Sequence, residues 1–271
     1  MRIAIIGHGS LGTLYGHAFS RISEHRVIYI ARGERAEKLK KNPLQVNGDR
    51  FDYAVENPED NREPAGLIIF AVKYHHLRQA LEDVRAHAGK DTIFVSVMNG
   101  IDSEEIIAQA FGPAHVLHTV ALGMDAVRVE NRTTFTKQGK LLFGRAGLPH
   151  SSNAIHGPGG KGSEPSPASE TSFPDKPRIS DPDVRTFADL CDQAGLAYEN
   201  PPDILRKLWS KFMLNIGANQ VSAVLEAPYG PFQRDTRAQK IMRRRYERVE
   251  GHRHSRAEYK DFEGNSSVHG L

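Results

Sequence analysis

Two rhythms of apolar and polar positions run along the chain. Short runs rich in Ile, Val and Phe begin at Arg2 ("RIAIIG"), Arg26 ("RVIYIAR"), Leu67 ("LIIFAVK") and Thr92 ("TIFVSVMNG"). Their brevity and β-branched content predict strands. A helical stretch follows the first run to about Ser23, and "HHLRQALEDVRAHAG" separates the third run from the fourth. Apolar runs alternating with helices predict an α/β fold whose parallel sheet is covered on both faces. The Asn47-Gly48 pair in "LQVNGDRFDYAV" predicts a hairpin. "HVLHTVALGMDAVRV", "TTFTK" and "KLLFG" predict further strands, with a turn at Gly139.

The rhythm stops at residues 147–182, where seven Pro, seven Ser and five Gly fill more than half of the window. That composition predicts a flexible linker or insertion. Its "GPGGKGS" is not a P-loop, because Lys161 precedes Gly162 rather than Ser or Thr and no strand leads into it. From Asp183 the pattern turns helical. "DVRTFADLCDQAG" predicts one helix and "DILRKLWSKFMLNIGANQVSAVL" a long second one, N-capped by Asp203 after two prolines. Beyond about Met242 the apolar periodicity fades.

Charge changes this picture little. Over 271 residues the net charge is +3, but residues 234–260 hold ten Lys or Arg against four acids. The basic excess therefore belongs to the tail, and its interspersed acids and lack of a recognition motif argue against a nucleic-acid partner. The "HRH" at 252–254 has no further ligands at a suitable spacing, so no metal site is expected. A single cysteine excludes a disulfide framework. Cys191 shares a helical face with Val184, Phe187, Leu190 and Ala194, which predicts a small buried thiol. No apolar run reaches the length of a membrane span and no signal-peptide layout is present, so the expected location is cytoplasmic.

Gly7, Gly9 and Gly12 form G-x-G-x-x-G at the junction of the first strand and first helix. There the glycines allow a tight turn, close approach of a pyrophosphate and close packing of helix on strand. The helix N-terminus adds N–H donors and partial positive charge. At the end of the second strand, where NAD enzymes usually carry a carboxylate for the ribose 2′-hydroxyl, stands Arg32, with Arg35 close behind. A guanidinium there predicts NADPH in preference to NADH. The alternative is a solvated surface arginine.

Within the otherwise apolar "LWSKFMLNIGAN", Lys211, Asn215 and Asn219 recur every fourth residue. On an α-helix they form one polar stripe about 12 Å long. Two readings remain open: a stripe that lines a cleft for a polar substrate, or one that faces solvent or a partner helix.

Residues 1 to about 240, apart from 147–182, resemble the ketopantoate reductase family. The resemblance rests on "GHGSLG" at Gly7–Gly12, Arg32 closing the second strand, "AVK" ending at Lys73, the pair Asn99-Gly100, and the helix pattern W-x-K-x-x-x-N-x-x-x-N from Trp209 to Asn219. It implies a Rossmann-type dinucleotide-binding domain over 1–146. The 147–182 insertion would then lead to a smaller all-helical substrate domain over 183–271, incomplete after about 242. The implied reaction is NADPH-dependent reduction of 2-dehydropantoate to pantoate, on the route to pantothenate and coenzyme A. By the same resemblance Gly7, His8, Gly9, Ser10, Leu11, Gly12, Arg32, Lys73 and Asn99 bind NADP(H). Lys73 and Asn99 would touch the nicotinamide end, and Lys211 would be the general acid. Asn99, Lys211, Asn215 and Asn219 would hold the 2-oxoacid substrate. Spacing alone, apart from the resemblance, puts Lys207 one helical turn before Lys211, where it would supply a cation that lowers the pKa of Lys211. Monomer and homodimer are both compatible with the resemblance.

The chain departs from the family in three places. Asn219 is followed by Gln220 where the family usually has Pro. The family's Pro-Asn-Gly turn reads Pro228-Tyr229-Gly230, and no later helices match those that carry the family's serine and glutamate. The chain thus reads as a member whose C-terminus is replaced or cut short, with two alternatives: a related NADP-dependent 2-oxo or 3-hydroxy acid dehydrogenase, or a catalytically impaired NADPH-binding member.

Overall fold

The computed structural model describes residues 1–60, 63–146 and 180–226, together with Lys240 and Arg244. In chain order the elements are β1 (Arg2–Ile6), α1 (Ser10–Ser20), β2 (Arg26–Ile30), α2 (Gly33–Lys41), β3 (Gln45–Val46), β4 (Asp49–Arg50), β5 (Ala54–Glu56) and β6 (Leu67–Phe70). Then come α3 (Leu77–Val84), β7 (Ile93–Ser96), α4 (Ser103–Phe111), β8 (Val116–Leu122), β9 (Val127–Val129), β10 (Arg132–Thr134) and β11 (Lys140–Gly144). After the insertion follow α5 (Pro182–Gln193), β12 (Ala197–Glu199), α6 (Ile204–Leu214) and α7 (Gln220–Leu225).

Successive side chains of a strand turn to opposite faces, and both faces of the central strands are buried. Ile3 and Ile5 of β1 enter one hydrophobic core with α1 and α5, whereas Ala4 and Ile6 enter another with α3 and α4. The main sheet has the order β12-β11-β8-β7-β6-β1-β2-β5. Its neighbours pair in parallel except β8 with β11, which run antiparallel. The strand order therefore reverses at β1, which has β2 on one side and β6 on the other. Open parallel sheets bind ligands at such a point, beyond the carboxyl ends of the strands.

A second sheet has the order β4-β3-β10-β9. Asn47 and Gly48 both have positive φ, 51° and 94°, as the turn between β3 and β4 requires. The predicted hairpin forms there, but its later residues Ala54–Glu56 leave it as β5 of the main sheet. The run "HVLHTVALGMDAVRV" likewise divides between sheets, β8 joining one and β9 the other.

The domain boundary expected at residue 183 lies elsewhere. The first compact unit is Met1–Leu208 and the second starts at Trp209. Val184, Phe187, Leu190 and Cys191 of α5 pack into the core of the sheet, and β12 pairs with β11. Cys191 is buried as expected, and burial pushes its thiol far above the usual range. Arg145, just past β11, bonds Asp181 (Nε to Oδ2, 2.6 Å) and Asp183 (Nη2 to Oδ2, 2.8 Å) at the head of α5. The Asp181 carboxylate also accepts from the Asp183 and Val184 N–H groups, capping that helix. Residues 147–179, the "HRH" stretch and most of the basic tail, for which the sequence raised expectations, lie outside the described residues.

The single long helix predicted after Asp203 is interrupted. Asp203 does cap α6, its Oδ1 accepting from the Arg206 N–H at 2.9 Å. Residues Asn215–Asn219 form a π-turn in which the Gln220 N–H donates to the Asn215 carbonyl, and α7 follows. In the second unit Trp209 and Phe212 meet edge to face at 5.9 Å.

Candidate functional site

Three strand ends meet at the switch point: Ile6-Gly7 after β1, Ile30-Ala31-Arg32 after β2 and Ala71-Val72-Lys73 after β6. Together with His8, Gly9, Arg35, His76, Gln79, Ala80, Asp83 and Arg128 they line a cleft of about 370 Å³. A depression of about 470 Å³ lies at the other end of the sheet, around Met1, Arg2 and Arg26. It lacks the convergence of strand ends and helix N-terminus that distinguishes the first.

The glycine turn has a steric cause. Gly7 holds φ +99°, and a Cβ on it would stand 2.6 Å from the Ala71 carbonyl group. A Cβ on Gly12 would overlap the Gly7 carbonyl oxygen. Gly9 differs, since a Cβ there meets nothing within 4 Å. The space beside it belongs to the cleft. Gly9 is the N-cap of α1 and no side chain caps that helix, so its first-turn N–H groups have no side-chain acceptor. Behind the turn, the buried Tyr29 hydroxyl donates to the Gly12 carbonyl at 2.9 Å and fixes α1 against β2.

Arg32, Arg35, Lys73 and Arg128 bring four cationic side chains to the lining, against the carboxylate of Asp83. Backbone donors, helix partial charge and a cationic rim together suit a polyphosphate ligand. The residues present therefore fit a dinucleotide. His8 lies over the turn with its pKa lowered to about 4, chiefly by burial and secondarily by the charges of Arg128 and Arg35. It stays neutral at physiological pH.

Several of these groups were not legible in the sequence. Arg32 forms an ion pair with Asp83 of α3, whose Oδ1 also accepts from Gln79 Nε2 at 2.8 Å. Glu59 adds a longer contact at 3.9 Å. Arg32 is about half exposed and Asp83 nearly buried. Arg128 arrives from β9 of the second sheet. Lys73 lines the same cleft as Arg32. Asn99 is exposed beyond β7 and is not among the lining residues. A buried relay holds its turn: the Ser96 and Ser103 hydroxyls bond at 2.8 Å, Ser103 donates to Glu104 at 2.7 Å, and Glu104 accepts from the Thr119 N–H at 3.3 Å.

In the second unit Lys211 and Asn215 are half-buried and Asn219 is exposed. Asn219 Nδ2 donates to Asn215 Oδ1 at 2.8 Å, so the π-turn keeps the two amides in contact. Such turns recur at functional sites. Lys207, in the first unit, is exposed.

Among the described residues no group of three His, Cys, Asp or Glu could hold a metal ion, and no helix is long and apolar enough to cross a membrane.

A family model described as ketopantoate reductase PanE/ApbA matches residues 3–147. A 2-dehydropantoate 2-reductase of Streptococcus pyogenes is 24% identical over 233 residues, which cover 85% of this chain and 66% of the relative. The chain thus spans just under two thirds of that relative's length. The crystal structure of 2-dehydropantoate 2-reductase from Porphyromonas gingivalis W83 superposes with a TM-score of 0.68 at 20% identity, covering 91% of this chain and 80% of that one. The ternary structure of D-mandelate dehydrogenase with NADH and anilino(oxo)acetate superposes with a TM-score of 0.67 at 18% identity, covering 89% and 70%.

Proposed function

The chain belongs to the ketopantoate reductase family PanE/ApbA, and on that premise we propose that it reduces 2-dehydropantoate to pantoate with NADPH. The family is one of oxidoreductases. The observation that carries the reading is the glycine turn at the switch point of the sheet, open at Gly9 and rimmed by Arg32, Arg35, Lys73 and Arg128. NADPH, when bound, supplies the hydride. The chain's own part is to seat the pyrophosphate on the α1 N–H groups and to meet the 2′-phosphate with Arg32.

Reduction of a ketone places negative charge on its oxygen, which needs a proton and a neighbouring cation. Lys211 fills both roles in this proposal. Asn215 and Asn219 offer amide donors and acceptors for the hydroxyl and carboxylate groups of the oxoacid, and Asn99 completes the substrate set. The test is NADPH oxidation by the purified full-length chain with 2-dehydropantoate. Turnover dependent on that oxoacid supports the proposal, and NADPH binding without turnover on it removes the substrate assignment.

A second reading is favoured by one observation. Because Asp83 already pairs with Arg32, selection for a 2′-phosphate is weakened, and a related 2-oxoacid reductase that accepts NADH fits the same cleft. The D-mandelate dehydrogenase with NADH shares this fold. A panel of short and aryl 2-oxoacids assayed with both dinucleotides separates the readings.

A further inference from the structure

We propose that Arg128, carried by the second sheet, is a pyrophosphate-binding residue that closes the glycine turn from above. This inference rests on the dinucleotide reading of the cleft and adds a ligand from an element outside the strand-helix unit that forms the turn.

Arg128 lies on β9, 115 residues beyond Thr13, and its Nη1 approaches the Thr13 Oγ1 at 3.4 Å. Thr13 belongs to the first turn of α1, and its hydroxyl donates to the His8 carbonyl at 3.2 Å. The guanidinium therefore stands over the segment whose N–H groups face the cleft, and Arg128 lines that cleft with His8 and Gly9. Its Nε donates to the Glu130 carbonyl at 2.6 Å, which fixes the plane of the fork.

No carboxylate forms an ion pair with Arg128 among the described residues, in contrast to Arg32, which has Asp83. The side chain is half-buried, and burial pulls its pKa below the usual arginine range. A partly desolvated cation without a counter-charge is costly. A pyrophosphate bridging the α1 N–H groups and this fork would relieve that cost, and a guanidinium suits such an anion geometrically. The neutral state of His8 removes a competing charge from the same spot.

Arg32 and Arg128 thus divide the cofactor between them, the first reading the 2′-phosphate and the second the diphosphate common to both dinucleotides. Dissociation constants for NADPH, NADH and 2′-AMP, which lacks a pyrophosphate, test this on the full-length chain. Arg128→Gln should weaken NADPH and NADH by a similar factor, at least about tenfold, and leave 2′-AMP unchanged. Arg32→Gln should weaken NADPH and 2′-AMP while sparing NADH. Arg128→Lys, which keeps the charge and loses the fork, should fall between parent and Gln variant. Unchanged NADPH and NADH binding in Arg128→Gln overturns the assignment, as does an equal loss of all three ligands, which would indicate a structural role. If the parent chain binds neither dinucleotide, the cofactor reading itself fails, an outcome distinct from normal parental binding that is unaffected in the variant.

Discussion

The glycine turn of the first unit and the polar helix of the second present their polar groups by different means. At the turn the polar groups are those of the backbone, and sterics dictate which residue stands where. A side chain at Gly7 or Gly12 would collide with the fold itself, whereas one at Gly9 would intrude only on the cleft. On the helix the polar groups are side chains, those of Lys211, Asn215 and Asn219, and across the π-turn Asn219 Nδ2 donates to Asn215 Oδ1. A backbone-built site is therefore locked to its scaffold, while a side-chain site can be emptied one group at a time with the scaffold intact.

The largest expected effect lies on the helix. Lys211→Ala should lower kcat by roughly 10²–10⁴-fold, the usual contribution of a positioned proton donor, with the NADPH dissociation constant within about twofold of the parent. Comparable turnover in the variant would end the division of labour drawn between the two regions. At the turn, Gly9→Val should weaken NADPH by about ten- to a hundredfold, about 1.4–2.8 kcal/mol, at an unchanged Tm. Gly12→Val should instead destabilise the chain before any ligand is added, by about 1–3 kcal/mol. Identical behaviour of the two glycine variants in thermal melts would show that the open space at Gly9 has no special meaning.

A smaller effect sharpens the comparison within the cleft. Asp83→Asn releases Arg32 from its internal partner and should tighten NADPH by about two- to fivefold, the range of a solvent-screened charge pair, without altering NADH. Equal shifts for both dinucleotides would show that Asp83 acts on the whole cleft rather than on Arg32. The last effect is on pH dependence. The folded state holds His8 at a pKa of about 4, below its ordinary 6.5, so the unfolded chain takes the proton first as pH falls. The stability that follows from a neutral His8 is complete above pH 6.5 and is lost as pH falls from there towards 4. The expected loss at pH 5 is about 2 kcal/mol, read from denaturation midpoints at pH 7 and 5, and His8→Asn should flatten that slope.

The parallel strands were legible because each is a run of Ile, Val and Phe buried on both faces, and the turn because few residues other than glycine satisfy its sterics. Asn47-Gly48 marked its hairpin for the same kind of reason. The Asp83 partner of Arg32 was not legible, since the two are 51 residues apart and α3 carries other charges with equal claim. Arg128 was hidden by a wider gap and by a short strand of a second sheet, where local pattern does not reveal which face meets the glycine turn. The four-residue spacing of Lys211, Asn215 and Asn219 suggested an unbroken α-helix, but a shift from i−4 to i−5 backbone bonding leaves no mark in side-chain spacing. α5 reads as an ordinary amphipathic helix. Its packing into the sheet core and the pairing of β12 with β11 place it within the first unit.

The Arg145 guanidinium has a consequence for how the gene product tolerates change. By clasping Asp181 and Asp183, it brings the point where the polypeptide departs after β11 together with the point where it returns before α5. Those two points are thereby fastened to one another. Since closure entropy grows only with the logarithm of contour length, changing the number of residues that join those two points should cost the sheet little stability. The clasp makes this interval a natural place for a tag or a reporter.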